Sequence, residues 1–335
     1  MRKEIVWASI IGIAFGLIIA FGVWRINSSV KPKSAQTEAT PTPAGNFEFK
    51  ITLNKPENED VVTTDVTTVS GITKSLTWLT ILGEEEDYII QADEKGVFSQ
   101  DVNLIAGVNR IKIVAYDSTG AQSVEKVLVV YSSSFEEKTV STPDPNEATT
   151  TESAIRQKVQ EKVQDVLNKP KAYIGVVTDI AESTIQIKSE AGEIKQISTS
   201  KDDIAVVNAR GTTNKTVKLT DIAIGDFIVA MGYRNGNSVL NAQRILITQP
   251  LTEPKNNAFY GKVTQTTTKD MTVGTLKDGK ESSVTPTTKT GIFSYANGQA
   301  AKIKLTAVEE GDTVIYVTSE ESGKFSIRTI FVLKT

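Results

Sequence analysis

The second half of the chain repeats itself, and this duplication restricts the possible folds more than any other feature of the sequence. Residues 172–178 (AYIGVVT) align with residues 258–264 (AFYGKVT) at a spacing of 86 residues. Gly225-Asp226 and Gly311-Asp312 keep the same spacing. Two segments with one pattern of apolar residues bury the same surfaces and adopt the same fold. We therefore predict two copies of one unit, repeat 1 at residues 171–249 and repeat 2 at residues 256–335.

Each repeat alternates apolar and polar residues in the way that is typical of short strands. In repeat 1 an opening strand carries Gly175 at its middle, a hairpin runs through Ile185 and Ile197, and Asn235-Gly236 is typical of a tight turn. A glycine inside a strand marks a bend or the close approach of another backbone. Five or six curled strands of this size predict two repeated small OB-like β-barrels.

Residues 46–131 also alternate with a period of two. Segments such as 78–82 (WLTIL) and 110–116 (RIKIVAY) are separated by turn residues, including Asp117-Ser118-Thr119-Gly120. About seven short strands without a helical pattern predict an antiparallel β-sandwich. The chain as a whole is thus predicted to be mainly β.

Three motifs in the sandwich resemble a known domain type. They are 93–98 (DEKGVF), 102–111 (VNLIAGVNRI) and 114–117 (VAYD). This pattern resembles the bacterial immunoglobulin-like domain of the glucodextranase B type. The repeat pattern, with GxVT followed by KLT and GD, is similar to a bacterial envelope domain family of unknown function. The resemblance implies a spacer or accessory domain, and it does not imply a catalytic site.

The N-terminus carries an uncharged apolar run at residues 5–24. Its 20 residues match the length of a helix that crosses a bilayer. We predict a transmembrane anchor over residues 1–24, with the N-terminus inside and most of the chain outside the cytoplasm; a cleaved signal peptide is the alternative. Small residues recur every four positions along this run and form a candidate helix-association stripe: Ala8, Gly12, Gly16 and Ala20.

Two polar segments and one helical pattern connect the modules. Residues 25–45 and 132–150 are rich in Pro, Ser and Thr and are predicted to be linkers. Residues 151–169 carry apolar side chains at a helical period, which predicts one amphipathic helix. Such a helix cannot bury its own apolar stripe, so we expect it to dock on the repeat that follows.

The composition excludes several classes of chemistry. The chain has no His and no Cys, so it cannot form a Ser–His or Cys–His pair, a disulfide or an iron–sulfur cluster. Its 37 basic and 40 acidic side chains argue against a nucleic acid partner. We predict no enzyme activity, no cofactor and no metal.

Acidic loops leave one alternative open. Residues 46–131 carry 7 basic and 14 acidic side chains, and runs of carboxylates occur at 57–60 and 84–87. Carboxylates on loops can bind calcium, although EF-hand spacing is lacking. A solvated acidic surface is the favoured interpretation.

Two functional hypotheses follow. The first is a membrane-anchored surface protein with a structural, adhesive or scaffolding role, whose partners are the lipid bilayer, other surface proteins and a second copy of the membrane helix. The second is a module that binds envelope glycan or peptidoglycan on a barrel face, because such faces can bind oligosaccharides. Its candidate ring platform consists of Tyr173, Tyr233, Phe259, Tyr260 and Tyr295.

Overall fold

The computed structural model describes residues 49–135, 168–200, 203–252, 255–296, 298–321 and 323–334. The described residues, from Phe49 onward, belong to one compact unit. Several predictions concern residues outside the described ranges. They are the membrane run at 5–24 with its stripe Ala8, Gly12, Gly16 and Ala20, the linker at 25–45, most of the linker at 132–150, and residues 151–167 of the amphipathic helix.

The first module is a sandwich of two sheets. Its strands are β1 (Thr52–Lys55), β2 (Asp60–Val62), β3 (Val66–Ile72), β4 (Trp78–Leu82), β5 (Asp87–Gln91), β6 (Val97–Asn103), β7 (Gly107–Tyr116) and β8 (Gln122–Tyr131). One sheet has the order β1-β3-β6, and the second runs β2-β8-β7-β4-β5. Alternate residues of both sheets fill the core between them, as Val69, Leu79, Phe98 and Ile113 do.

The two repeats have the same strand order. Repeat 1 contains β9 (Pro170–Ala181), β10 (Thr184–Lys188), β11 (Ile194–Ser198), β12 (Ala205–Asn208), β13 (Lys215–Val217), β14 (Phe227–Arg234) and β15 (Leu240–Thr248). Repeat 2 contains β16 (Lys255–Thr266), β17 (Met271–Thr275), β18 (Glu281–Val284), β19 (Gly291–Ala296), β20 (Gln299–Lys302), β21 (Thr313–Glu321) and β22 (Lys324–Leu333). The strands pair as β13-β12-β15-β14-β9-β10-β11 in one and as β20-β19-β22-β21-β16-β17-β18 in the other.

The glycine near the middle of each opening strand lies where another backbone passes. A Cβ on Gly175 would come 2.2 Å from the carbonyl oxygen of Lys188, and one on Gly261 would come 2.4 Å from that of Gly274. These distances are far below contact distance, so each position excludes any side chain. The close approach that the sequence pattern indicates therefore occurs in both copies.

The prediction of two small barrels is wrong. Repeat 2 is an open seven-stranded sheet, and Thr285-Pro286 directly follows β18, where a proline cannot donate to a longer ladder. In repeat 1, two parallel residue pairs join β11 to β15, but β9 also pairs with β2 of the sandwich at Asp60 and Lys171. Repeat 1 is therefore part of one twelve-stranded sheet and not a separate barrel.

The predicted helices and the predicted localisation also need correction. The elements of the described residues are strands and two single-turn 3-10 helices, Leu219–Asp221 and Leu305–Ala307, so they support neither a transmembrane helix nor an amphipathic linker helix. No helix within these residues has the length and apolar character needed to cross a bilayer. Single-pass membrane anchoring is therefore not supported by this structure.

Candidate functional site

Both repeats pack on the same surface of the sandwich. This surface, here called the outer face, is the side of sheet β2-β8-β7-β4-β5 that points away from the sandwich core. Along β7, the outer-face residues are Val108, Arg110, Lys112, Val114 and Tyr116, with apolar residues at both ends and two cations between them. The apolar ends lie in two separate buried clusters.

Repeat 1 covers the β2–β8 end of the outer face. Val61 and Val130 of the sandwich are buried against Ile174, Val229 and Met231 of repeat 1. All five side chains are at most 4% exposed, so this contact excludes water. It is a joint of the kind found inside a domain.

Repeat 2 covers the β7-β4-β5 end. Trp78 and Tyr116 of the sandwich pack with Ile315, Val317 and Phe331 of repeat 2. Two aromatic pairs add to this contact: Trp78 meets the ring of Tyr295 edge-on at 5.2 Å between centroids, and Tyr116 meets the ring of Tyr260 at 5.3 Å.

The repeats present equivalent residues to the sandwich. At the spacing of 86 residues, Val229 corresponds to Ile315 and Met231 to Val317. The same spacing relates Ala172 to Ala258 and Ile174 to Tyr260, and all of these residues lie at the two joints. The duplication therefore conserves a docking face as well as a strand order.

The acidic run at 57–60 lies at the repeat 1 joint. Lys171, whose side chain is 4% exposed, contacts Glu57 at 2.8 Å and Asp60 at 2.6 Å. Lys195 contacts Glu59 at 2.7 Å. Hydrogen bonds from Lys169 and Lys171 lower the pKa of Glu57 to about 2. These carboxylates bind lysines of repeat 1.

The acidic run at 84–87 lies at the repeat 2 joint. Asp87 accepts a hydrogen bond from the Thr329 hydroxyl at 2.6 Å and contacts Arg328 at 3.3 Å. Arg328 also donates to the carbonyl oxygens of Gly83 and Glu84. Burial of the Asp87 side chain raises its pKa, although Arg328 and Thr329 oppose that shift.

A cleft of about 440 Å³ lies between the two repeats over the outer face. We call it the seam cleft; its charged lining consists of Arg110, Lys112, Lys126 and Glu190. The Arg110 guanidinium donates to Glu190 of repeat 1. Lys112 Nζ donates to the Asn256 carbonyl oxygen at 2.9 Å and to Asn257 Oδ1 at 3.0 Å in repeat 2. Strand β7 thus contacts both repeats across this cleft.

A second cleft, of about 500 Å³, lies between β5 and β19–β20. We call it the aromatic cleft, because the half-buried rings of Tyr88, Phe293 and Tyr295 line it together with Glu86 and Gln100. Burial raises the pKa of both tyrosines. Ring surfaces beside hydrogen-bonding groups can hold a ligand that has apolar and polar faces.

The five predicted platform rings do not lie together. Tyr173 is 5% exposed in the core of repeat 1, with its hydroxyl donating to the Ser238 carbonyl oxygen at 2.6 Å, and Phe259 stacks on Tyr316 in the core of repeat 2. Tyr233 packs on Phe135, and Tyr260 packs at the repeat 2 joint. Tyr295 alone among the five lines the aromatic cleft.

The acidic loops do not gather a metal site. Among the described residues, no group of three or more Asp or Glu side chains is arranged to hold a metal ion. Two further loop carboxylates cap turns: Asp93 accepts from the N–H of Lys95 and Val97, and Asp117 from those of Thr119 and Ala121.

Arg110, Lys112, Lys126 and Arg328 are not among the residues predicted from the sequence. For Arg110 and Lys112 the sequence holds one signal. A sheet face exposed to water is polar along its whole length, whereas the outer face of β7 has apolar residues on either side of two cations. That pattern indicates a face that is covered in two places and open between them.

Comparisons with known proteins give structural similarity at low sequence identity. No family model and no curated protein matches the chain. A tetra-tandem repeat from the extending region of a large adhesion protein is 10% identical, with 85% of this chain and 74% of that one covered and a TM-score of 0.22. A Ca²⁺-stabilised, ice-binding adhesin of an Antarctic bacterium is 14% identical, with 85% and 74% covered and a TM-score of 0.20.

A third structure is that of the protein SGBP-B of the mixed-linkage glucan utilization locus of Bacteroides ovatus, in complex with a mixed-linkage heptasaccharide. It is 11% identical, with 85% of this chain and 70% of that one covered and a TM-score of 0.19. Similarities at this level support no argument about the present chain.

Proposed function

We propose that this chain is a non-catalytic structural or adhesive protein of the bacterial cell surface. In this proposal the sandwich is an accessory domain of the immunoglobulin-like type that its motifs resemble, and the repeats are fastened to it. A protein of this kind acts by holding modules in a defined arrangement, so its function requires firm joints between them.

The observation that carries the proposal is the shared docking face. Ile315 of repeat 2 and its counterpart Val229 of repeat 1 are 0% and 1% exposed against the sandwich. A chain that uses modules as independent tethers has no need to bury one face of each repeat. Burial of this kind stabilises one body that can bear load between two attachment points.

Attachment by living cells tests the proposal. A deletion strain is complemented with the wild-type chain, with Ile315→Asp, or with Ile224→Asp, whose site is 66% exposed. The amount at the surface is measured with antibody on intact cells, and attachment is measured to glass and to other cells. We expect the deletion and Ile315→Asp to reduce attachment per surface copy, and Ile224→Asp to leave it unchanged.

Two results would contradict the proposal. One is antibody labelling that requires lysis of the cells, since the protein then is not at the surface. The other is turnover of sugar or ester substrates by the purified full-length chain, since the protein then is an enzyme.

We propose glycan binding as a second candidate function, and the aromatic cleft supports it. Tyr88, Phe293 and Tyr295 offer ring surfaces, and Glu86 and Gln100 offer hydrogen-bonding groups within one cleft. Sugars present apolar ring faces and hydroxyl edges, so this combination suits them.

A glycan array with the full-length chain tests this candidate. Tyr295→Ala should abolish binding, whereas Tyr260→Ala should keep it, because both rings pack at the same joint and only Tyr295 lines the cleft. An array without any hit, or equal losses in the two variants, would exclude the aromatic cleft as a glycan site.

A further inference from the structure

The charge around the aromatic cleft favours a cationic ligand. The sandwich contributes Glu85, Glu86 and Tyr88 to the lining, and residues 46–131 carry 7 basic and 14 acidic side chains. A surface with such an excess of carboxylates attracts cations and repels anions at long range. A neutral ligand gains nothing from this field, so a ligand with a positive group is the better match.

The charged groups of the lining differ in how strongly they are engaged. They are the carboxylates of Glu85, Glu86 and Asp87 and the cations of Lys289 and Arg328. Arg328 contacts Asp87 and donates to two carbonyl oxygens of the sandwich. Glu85 and Glu86 are exposed, as is Lys289. Two accessible carboxylates therefore stand against one accessible cation in this lining.

A buried acceptor of the same lining lacks a donor. The side chain of Asp87 is 0% exposed, and its Oδ2 accepts from the Thr329 hydroxyl and contacts Arg328. Its Oδ1 has no hydrogen-bond partner among the described residues. A buried acceptor left in this state costs free energy. A ligand that brings N–H donors and a positive charge to this wall of the cleft offsets that cost.

The rings of the cleft suit both a cation and a sugar. Tyr88, Phe293 and Tyr295 are half-buried and line the cleft from both modules. An aromatic face attracts a cation that lies within about 6 Å of the ring centroid, and it also packs on the apolar face of a sugar. The volume of about 500 Å³ is in the usual range for small-molecule sites. The cleft thus has room for a sugar unit as well as for an ammonium group.

We propose that the aromatic cleft selects a glycan whose sugar carries a protonated amine, such as a glucosamine unit without its acetyl group. The ammonium lies beside Glu85 and Glu86, and the sugar ring packs on the aromatic side chains. This proposal rests on the second candidate function, glycan binding by this cleft, and adds the charge of the ligand.

Calorimetric titration of the full-length chain tests the proposal. The probes are β-1,4-linked trimers of glucosamine, N-acetylglucosamine and glucose, together with N-acetyl-lysine amide, which has the ammonium without a sugar. At about pH 6 the amine is protonated and the carboxylates are ionised. We expect the glucosamine trimer to bind at least about tenfold more tightly than each other probe, with an affinity that falls as salt rises.

Charge variants locate the site. Glu85→Gln with Glu86→Gln keeps hydrogen-bonding side chains and should remove the preference for the glucosamine trimer. The matched control is Asp65→Asn with Glu94→Gln, which removes two exposed carboxylates of the sandwich outside the cleft and should keep the preference. Lys289→Gln removes the exposed cation of the lining and should tighten binding about twofold, a gain that misfolding cannot imitate.

The possible failures are distinguishable. Equal binding of the three trimers would overturn the selection of an amine and leave glycan binding by the cleft in place. No binding of any trimer up to about 10 mM would overturn both. Equally tight binding of N-acetyl-lysine amide would mean that the cleft recognises ammonium and not a sugar. Equal effects of the two carboxylate pairs, or no gain with Lys289→Gln, would overturn the placement of the ammonium in this cleft.

Discussion

Lys171 is a buried cation with two carboxylate partners. Its side chain is 4% exposed at the joint between the sandwich and repeat 1, and it contacts both Glu57 and Asp60. A buried cation is tolerated only with its counter-charges in place, so the stability of this joint depends on all three groups.

Removal of Lys171 should therefore be costly. We expect Lys171→Met to lower the free energy of unfolding by about 2–4 kcal/mol, because it leaves carboxylates at a closed joint without their cation. Lys169→Met is the control: Lys169 also binds Glu57 but is 50% exposed, and exposed pairs contribute about 1 kcal/mol or less. Urea unfolding measures both. Equal losses would mean that burial of Lys171 has no energetic role.

Glu57 makes stability depend on pH in the acid range. Its pKa falls from 4.5 to about 2 in the folded protein because Lys169 and Lys171 bind the ionised form. The stabilisation is complete above the unfolded pKa and is lost as pH falls through the folded pKa. We therefore expect the difference in free energy of unfolding between wild type and Glu57→Gln to shrink as the pH falls from 4.5 to about 2. A constant difference across this range, measured by urea unfolding, would contradict the assignment.

Gly120 lies in a turn of the sandwich that touches repeat 2. Its φ is +83°, and a Cβ there would come 2.6 Å from the backbone nitrogen of Lys277. Gly107 has a φ of +98° with open space around it. Alanine at either position costs about 1–2 kcal/mol of backbone strain. Gly120→Ala should lower the free energy of unfolding by at least about 1 kcal/mol more than Gly107→Ala does, because the turn at Gly120 must also move away from Lys277 of repeat 2. Thermal unfolding measures both variants, and similar melting temperatures would refute this.

At the scale of elements, strand β21 contributes side chains both to the core of repeat 2 and to the joint with the sandwich. Val314 and Ile315 are adjacent and both 0% exposed, but Val314 lies in the core of repeat 2 and Ile315 lies at the joint with the sandwich. Because successive side chains of a strand point to opposite faces, one strand links the interior of its own repeat to the neighbouring module.

Truncation on the two faces of β21 should have different effects. Both Val314→Ala and Ile315→Ala should destabilise the protein, by about 2–4 kcal/mol, through loss of buried groups. Only Ile315→Ala, and not Val314→Ala, should speed amide hydrogen exchange in β4 of the sandwich. The reason is that Trp78 on β4 packs against Ile315. If both variants change exchange in β4 equally, the joint is not separable from the core of the repeat.

At the scale of the whole molecule, three modules share their boundaries. Repeat 1 continues the sheet of the sandwich through the β2–β9 pair, and repeat 2 joins it through a buried aromatic cluster. Modules joined in this way are not expected to unfold independently, since each would expose the joint of its neighbour.

Calorimetry of the full-length chain should consequently show one main unfolding transition whose enthalpy agrees with its van't Hoff value. Ile315→Asp should split it, because a carboxylate at the joint favours separation of repeat 2. Three resolved transitions in the wild type would mean that the joints contribute little stability.

Several features could be predicted from the sequence because they depend on neighbouring residues. Alternation identifies strands such as β7 and β10, Asn235-Gly236 marks the turn between β14 and β15, and the glycines at 175 and 261 indicate close backbones. The duplication predicts a common strand order for the repeats. Barrel closure could not be predicted in this way, because it depends on whether β11 and β18 reach strands that are far away in the chain.

The sequence by itself determined that segments such as β7 and β10 form strands whose alternate residues enter a core, because this property follows from a local period of two. The tertiary structure alone decided that the outer face of the sandwich is covered at both ends and open in the middle. The contacts responsible join residues 114 positions apart at Lys171 and Glu57, and 242 apart at Thr329 and Asp87. Only the folded chain brings such residues together, so the seam cleft exists only once all three modules have docked.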